Sequence, residues 1–157
     1  MKGNKIKIIL LILTIVLAGF GRDFVMKNIN WVIKYLTQGG TNFSQSVFNP
    51  FLKWEVSDLI RLKWGLTIGF TLLFYILTKI IIQSIFKRGN TLVKLFYFTL
   101  IASATFIYFI GYVFGIIDTI YPTVRTIMGI AQSFVPFIII YLFLKFYSSI
   151  NLTKKNE

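Results

Sequence analysis

The sequence predicts an all-α integral membrane protein with four transmembrane helices and an extracytoplasmic connection that contains one or two interfacial amphipathic helices. The first observation is a run of 23 residues without a charged side chain, 95–117. As a helix, this run is long enough to cross the roughly 30 Å hydrocarbon layer of a bilayer. Residues 64–77 and 127–144 form similar runs, and 8–21 is a shorter one. The second observation is a hydrophobic fraction of 56% and a mean hydropathy of +0.75, too apolar for an ordinary soluble domain.

The first predicted span, at about 6–26, begins with a basic segment. Three lysines among the first seven residues precede the apolar run, which is the charge arrangement of a signal peptide or a signal anchor. The segment Gly19-Phe20-Gly21 is a poor match to a signal-peptidase site. The sequence therefore favours an uncleaved helix that continues past Arg22 and Asp23 by snorkelling at the interface, and cleavage stays the alternative.

The predicted outer connection, 27–63, contains two amphipathic segments. Apolar side chains recur at helical spacing over 25–36. Asn49-Pro50 is typical of a helix start, with Asn as N-cap and Pro at the first helical position. Three tryptophans fall on this side, where indole prefers the headgroup level: Trp31, Trp54 and Trp64. The pattern favours two helices on the outer leaflet or capping the bundle, and a docking surface for a partner is the second interpretation.

The other predicted spans, at about 64–86, 95–117 and 127–146, are joined by short connections, with a turn around Tyr121-Pro122. With the N-terminus inside, the cytoplasmic side carries a net charge of +9 and the outer side +3. The positive-inside rule then places both termini in the cytoplasm, and we expect a multi-pass protein of the bacterial inner membrane. The whole chain, 1–157, is a single membrane domain in this interpretation.

Small residues at four-residue intervals recur in three of the spans, and close contact between membrane helices requires such residues. At 100° per residue, Asp118 shares a face with the small residues of the third span, and Arg125 shares one with those of the fourth. We name the resulting candidate site the polar notch. Its predicted members are Asp118, Arg125, Gln132, Gly111, Gly115, Gly129 and Ser133, and a further small pair is Gly65 and Gly69. The notch either fastens helices together, which the sequence favours, or contacts a substrate.

The composition argues against catalysis. Cysteine and histidine are both absent, which removes the commonest nucleophile–base pairs and most zinc chemistry. Length and charge invite comparison with lipoprotein signal peptidase, an aspartyl protease of membranes. The Asn of that family's N-x-x-D motif is here Gly115, however, and Asp118 is the only acid at this end of the two spans. We therefore expect no cofactor, no metal and no enzyme activity, with an aspartyl-type membrane hydrolase as the less favoured alternative. The net charge of +12 lies at the ends of apolar segments, so nucleic acid is not an expected partner.

Several short phrases are spread over most of the chain. They are Arg22-Asp23-Phe24, Asn28-Ile29-Asn30, Leu62-Lys63-Trp64, Leu66-Thr67, Phe114-Gly115, Arg125, Met128-Gly129-Ile130, Gln132-Ser133 and Pro136. In these phrases the chain resembles a family of small membrane proteins of the Bacteroidetes that accompany an exosortase. An exosortase resembles a membrane transpeptidase that processes C-terminal sorting signals with Cys, Arg and His. The resemblance implies the companion and not the transpeptidase, and it assigns no functional residue.

We therefore expect a non-catalytic accessory or scaffold protein that associates with a membrane enzyme, in an exosortase-type protein-sorting or surface-export system. The alternative is a small oligomeric transporter or channel subunit, with Lys79, Gln83, Gln132, Asp118 and Arg125 along a path. The expected partners are the lipid bilayer and a membrane protein, and a homo-oligomer is left open.

Overall fold

The computed structural model describes residues 2–38 and 49–153. Within these ranges the chain forms five α-helices and one 3₁₀ helix, and no strand. The elements are α1 Lys2–Gln38, the 3₁₀ helix Asn49–Lys53, α2 Val56–Phe86, α3 Asn90–Val113, α4 Ile117–Ala131 and α5 Val135–Thr153. Positions 39–48 of the predicted connection lie outside the described residues.

Helix α1 continues through the boundary predicted between the first span and the outer connection. The predicted span and the amphipathic segment 25–36 belong to one helix. No glycine or proline lies between Arg22 and Gln38, so nothing interrupts the backbone hydrogen bonds. Because α1 packs along α2, the apolar face of this segment is buried, with Ile29 and Val32 almost fully covered.

Helix α2 also extends further than predicted. The segment that starts at Asn49-Pro50 is only a short 3₁₀ turn. Glu55, in extended backbone, is the N-cap of α2, and its carbonyl accepts the Leu59 N–H at 3.2 Å. The residues assigned to a second interfacial helix therefore form the first turns of α2, where Leu59 is fully buried. In the described part of the connection, the 3₁₀ helix is the one element separate from the long helices.

The turn between α2 and α3 contains two residues in the left-handed region. Lys87, at φ 54°, ends α2. Gly89, at φ 102°, precedes α3, and a Cβ there would lie 2.8 Å from Leu144 Cδ1 and 3.0 Å from Ile82 Cγ2. The turn therefore packs directly against α5 and requires glycine for both conformation and space.

The turn between α3 and α4 comes earlier than predicted. Gly115 adopts φ 67°, and the Ile116 N–H donates to the Gly111 carbonyl at 2.9 Å, which is the Schellman arrangement that ends a helix. Pro122, which we expected to mark the turn, lies inside α4 instead. Its cost there is one missing hydrogen bond to the carbonyl of Asp118. Asp118 thus belongs to α4 and not to the third span.

The predicted fourth span is broken into α4 and α5, which are bent by 60°. Pro136 has no N–H for the carbonyl of Gln132, and the chain leaves the helix at 132–134, directly before this proline, whereas α4 accommodates Pro122. Ser133 satisfies the backbone at the break. Its hydroxyl donates to the Ile130 carbonyl at 2.8 Å and accepts the Val135 N–H at 3.2 Å.

Helices α4 and α5 together run the length of α3. Helix α4 packs on the C-terminal part of α3, beside Gly111. Helix α5 reaches the opposite end, where Leu144 lies beside Gly89 and the Arg88 guanidinium lies 5.8 Å from the centroid of the Tyr147 ring. The bent pair therefore runs from one end of α3 to the other and does not return to the end where it began.

The helices enclose one core and leave a largely apolar exterior. The core cluster consists of Ile15, Phe74, Leu77, Ile81, Ile82, Val93, Tyr97, Phe137, Ile140 and Leu144. On the outside, Phe98, Phe106 and Phe114 are at least 65% exposed. Soluble monomers rarely expose continuous apolar surface of this kind. Within the described ranges, three helices are long and apolar enough to cross a membrane, or four if the bent pair counts as one span, which fits an all-α membrane protein.

Candidate functional site

A cleft of about 620 Å³ lies between α1 and α4. Both helices pack on α2, which joins them, whereas few contacts link α1 to α4 directly. The lining residues are Arg22, Asp23, Met26, Lys27, Asn30, Ile33, Ile60, Lys63, Trp64, Thr67, Tyr121, Val124, Arg125, Thr126, Met128, Gly129 and Gln132. The volume is in the range of protein sites for small ligands.

A hydrogen-bond network around Gln132 fixes one part of this cleft. Nε and Nη2 of Arg22 each donate to Gln132 Oε1 at 3.2 Å. Gln132 Nε2 donates to the Thr67 carbonyl at 3.1 Å and to Thr71 Oγ1 at 3.2 Å. Gln132 is only 2% exposed, so its amide is buried with partners on both sides. The network ties α1 and α2 to the break between α4 and α5.

The charge of the cleft is strongly positive. Four cationic side chains line it, from Arg22, Lys27, Lys63 and Arg125, against the single carboxylate of Asp23. Asp23 is itself paired with Arg22. The side chains of Lys63 and Arg125 make neither a hydrogen bond nor an ion pair with any residue that the structure describes, and their like charges repel each other. The cleft therefore holds positive charge that an anion can neutralise.

The rest of the lining is apolar or aromatic. Met26 and Ile33 come from α1, Ile60 and Trp64 from α2, and Val124 from α4. Apolar surface beside unpaired cations suits an amphiphilic molecule, which has an anionic group and a hydrocarbon part. The arrangement can bind and orient such a molecule.

The polar notch is divided by the structure. Arg125, Gly129 and Gln132 line the cleft, and Gly129 leaves ordinary room for Arg22, whose Nη2 would lie 3.8 Å from an added Cβ. Asp118 is exposed on α4, outside the cleft, and forms no ion pair with Arg125 or with another described residue. Both residues lie on α4, and not on two neighbouring spans as predicted, so they do not line a notch between two spans.

The small residues of the notch have separate roles. Gly111 allows close approach of α4, because an added Cβ would lie 3.4 Å from Ile120 and 3.5 Å from the Ile117 Cα. Gly115 ends α3, and Ser133 bridges the helix break. Gly65 and Gly69 face open space within the described structure.

The site includes polar residues that were not among the predicted site residues, such as Arg22, Lys63, Thr67 and Thr71. The available signal was Arg22, a charged residue directly after an apolar run, which we attributed to snorkelling at the membrane surface. A buried acceptor for that guanidinium, Gln132, lies 110 positions away. No local pattern in the sequence reports a contact at that separation.

The charged groups of the cleft suit the binding of an anion. The titratable side chains that line it are those of four cations, of the ion-paired Asp23 and of Tyr121. Across the residues that the structure describes, no three His, Cys, Asp or Glu side chains come together as metal ligands. Lys79 and Gln83, which we placed on a transport path, lie outside this cleft.

Comparison with known proteins gives no relative: no family model, no curated protein and no solved structure matches the chain.

Proposed function

We propose that the protein is a non-catalytic accessory protein of a membrane enzyme, and that the cationic cleft is its binding site. The observation that carries this proposal is the chemistry of the cleft. Lys63 and Arg125 bring positive charge to it without a hydrogen-bonded partner for either side chain among the described residues, and the hydrogen bonds of Gln132 order one wall.

The sequence phrases that resemble exosortase-associated proteins lie at the cleft, which supports an exosortase-type system as the setting of the protein. Arg22, Lys63, Thr67, Arg125 and Gln132 all come from those phrases, and all line the cleft. We propose on this basis that the enzyme partner belongs to an exosortase-type protein-sorting or surface-export system.

The topology that we propose has both termini in the cytoplasm of a bacterial inner membrane. The cleft then lies near the outer surface. The C-terminal part of α1, after residue 27, and the N-terminal part of α2, before residue 63, lie on the same side. Trp31, on the α1 end, is 65% exposed and is a suitable contact point for a partner.

Site-specific photo-crosslinking tests the association. We expect a photoreactive residue in place of Trp31 to form an adduct with one membrane enzyme, and that enzyme to co-purify in stoichiometric amount in mild detergent. The control position is Phe146, which is 69% exposed on α5 near the opposite end of the bundle, and no adduct with that enzyme is expected there.

Two outcomes would contradict the accessory role. One is equal adduct formation from both positions, which would indicate contact without a specific surface. The other is a homogeneous self-oligomer that moves solute across reconstituted vesicles, which would support a transporter subunit instead.

A further inference from the structure

The distribution of charge and apolar surface within the cleft restricts the class of ligand. Lys63 and Arg125 come from different helices and carry positive charge without a hydrogen-bonded partner among the described residues. Arg22 also faces the cleft, but its guanidinium is already engaged by Gln132 and Asp23. The charges that remain for a ligand are therefore chiefly those of Lys63 and Arg125, with Lys27 near them on the lining.

A phosphate group fits this set better than a carboxylate. A phosphate monoester carries a charge of about −1.5 to −2 at neutral pH and three acceptor oxygens, so it can meet cations from two directions. The Arg125 guanidinium suits two oxygens at once, and the Lys63 ammonium acts as a point charge on the third. Binding would also remove the repulsion between the two side chains.

The apolar lining indicates what the phosphate is attached to. Met26, Ile60 and Val124 contribute hydrocarbon surface from three helices, and Trp64 adds an indole of the kind found at lipid headgroups. A free phosphate would leave this surface uncovered. An acyl chain would cover it, as burial of apolar area favours.

We propose that the cleft binds the phosphate group of an anionic lipid between Lys63 and Arg125, with the hydrocarbon of the lipid on the apolar lining. This proposal rests on the proposed function in one respect, since it takes the cleft as a binding site. It adds the ligand class and does not need the enzyme partner.

The test uses the purified full chain in dodecyl maltoside, titrated with three probes and followed by isothermal titration calorimetry. Dioctanoyl phosphatidic acid carries both the phosphate and the chains, dioctanoylglycerol carries only the chains, and inorganic phosphate carries only the phosphate. We expect one molecule of dioctanoyl phosphatidic acid to bind per chain, and each of the other two probes to bind at least about tenfold more weakly.

Matched variants locate the site. Lys63→Gln and Arg125→Gln should each weaken binding of dioctanoyl phosphatidic acid about tenfold or more, because each removes a charge-assisted hydrogen bond. Lys34→Gln, an exposed cation on α1 outside the cleft, removes the same formal charge and should leave the affinity within about twofold. Lys63→Arg retains the charge and should retain most of the affinity, which separates loss of a ligand contact from loss of fold.

The proposal is overturned if none of the probes binds, or if dioctanoylglycerol binds as well as dioctanoyl phosphatidic acid. It is also overturned if Lys34→Gln matches Lys63→Gln in effect. If inorganic phosphate binds as tightly as dioctanoyl phosphatidic acid, the cleft is a phosphate site, and the proposal that its ligand is a lipid is refuted. The titration contains no second protein, so a negative result leaves the crosslinking to a membrane enzyme as a separate test.

Discussion

At the scale of single residues, the interior of the protein depends on a few polar side chains with specific partners. The buried polar side chains within the described ranges are Thr71, Thr78 and Gln132. Thr78 and Tyr97 share a hydrogen bond of 3.2 Å between α2 and α3. Gln132 has the larger set of partners, from two helices, at a point where the backbone is not helical. A buried amide without hydrogen-bond partners is costly in an apolar interior. Because moving Gln132 would break its hydrogen bonds, these contacts hold the break between α4 and α5 in one position.

Replacing Gln132 by leucine should destabilise the protein by about 1–3 kcal/mol, because Arg22 and Thr71 lose a buried partner. The measurement is thermal or denaturant unfolding in detergent. Gln83→Leu is the matched control, since Gln83 is exposed on α2 and its side chain makes no hydrogen bond to a described residue. We expect that control to change stability by less than about 0.5 kcal/mol. Equal effects of the two substitutions would show that the network does not hold the fold.

At the scale of helices, glycines that look alike in the sequence do different things. Gly111 lets α4 approach α3, and Gly115 ends α3 in a left-handed conformation. Gly65 and Gly69, at the same spacing, lie in the helical part of α2 beside open space. The spacing of small residues alone does not distinguish a contact from a helix end, because both require the absence of a side chain for different reasons.

Gly115→Ala should therefore destabilise the protein by about 1–2 kcal/mol, because an L-residue is strained at φ 67°. Gly65→Ala should be neutral or stabilising by up to about 1 kcal/mol, since alanine favours a helix and nothing lies within 4 Å of its Cβ. Unfolding midpoints in one detergent provide the comparison. A stabilising Gly115→Ala would mean that α3 does not end where the structure places the end.

The sequence predicted the helical architecture because continuous apolar runs leave few other possibilities for a chain of this composition. The boundaries were harder to predict. The predicted end of the first span relied on Arg22 and Asp23 marking the membrane surface, but charges do not break a helix. The turn was placed at Pro122, whereas Gly115 ends the helix and Pro122 fits within the next one. The cleft could be anticipated only through Arg125, Gly129 and Gln132, since its other wall comes from α1, more than 90 positions earlier in the chain.

At the scale of the whole molecule, the path of α5 determines how many times the chain would cross a membrane. Because Leu144 lies beside the α2–α3 turn, α4 and α5 together run from one end of α3 to the other, as one broken crossing would. Counted in this way, the number of crossings is even, which the proposed location of both termini on one side requires. A re-entrant pair would instead leave the end of α5 on the same side as the cleft.

Labelling with a membrane-impermeant maleimide checks this arrangement, and the absence of native cysteine makes the experiment simple. Trp31→Cys should be labelled in intact cells, and Lys145→Cys only after the inner membrane is permeabilised. Both side chains are exposed, so burial does not account for a difference. Labelling of both positions in intact cells would refute the broken span, and the opposite pattern would refute the orientation.

The length of α1 has a consequence for where recognition takes place. At 1.5 Å per residue, its 37 residues extend about 55 Å, nearly twice the hydrocarbon thickness of a bilayer. In the proposed topology, tilt absorbs only a small part of that excess, so the C-terminal turns of α1 extend beyond the lipid and pack against the first turns of α2. There, the soluble segment of the proposed partner would meet α1 above the headgroups, before its transmembrane segment makes contact.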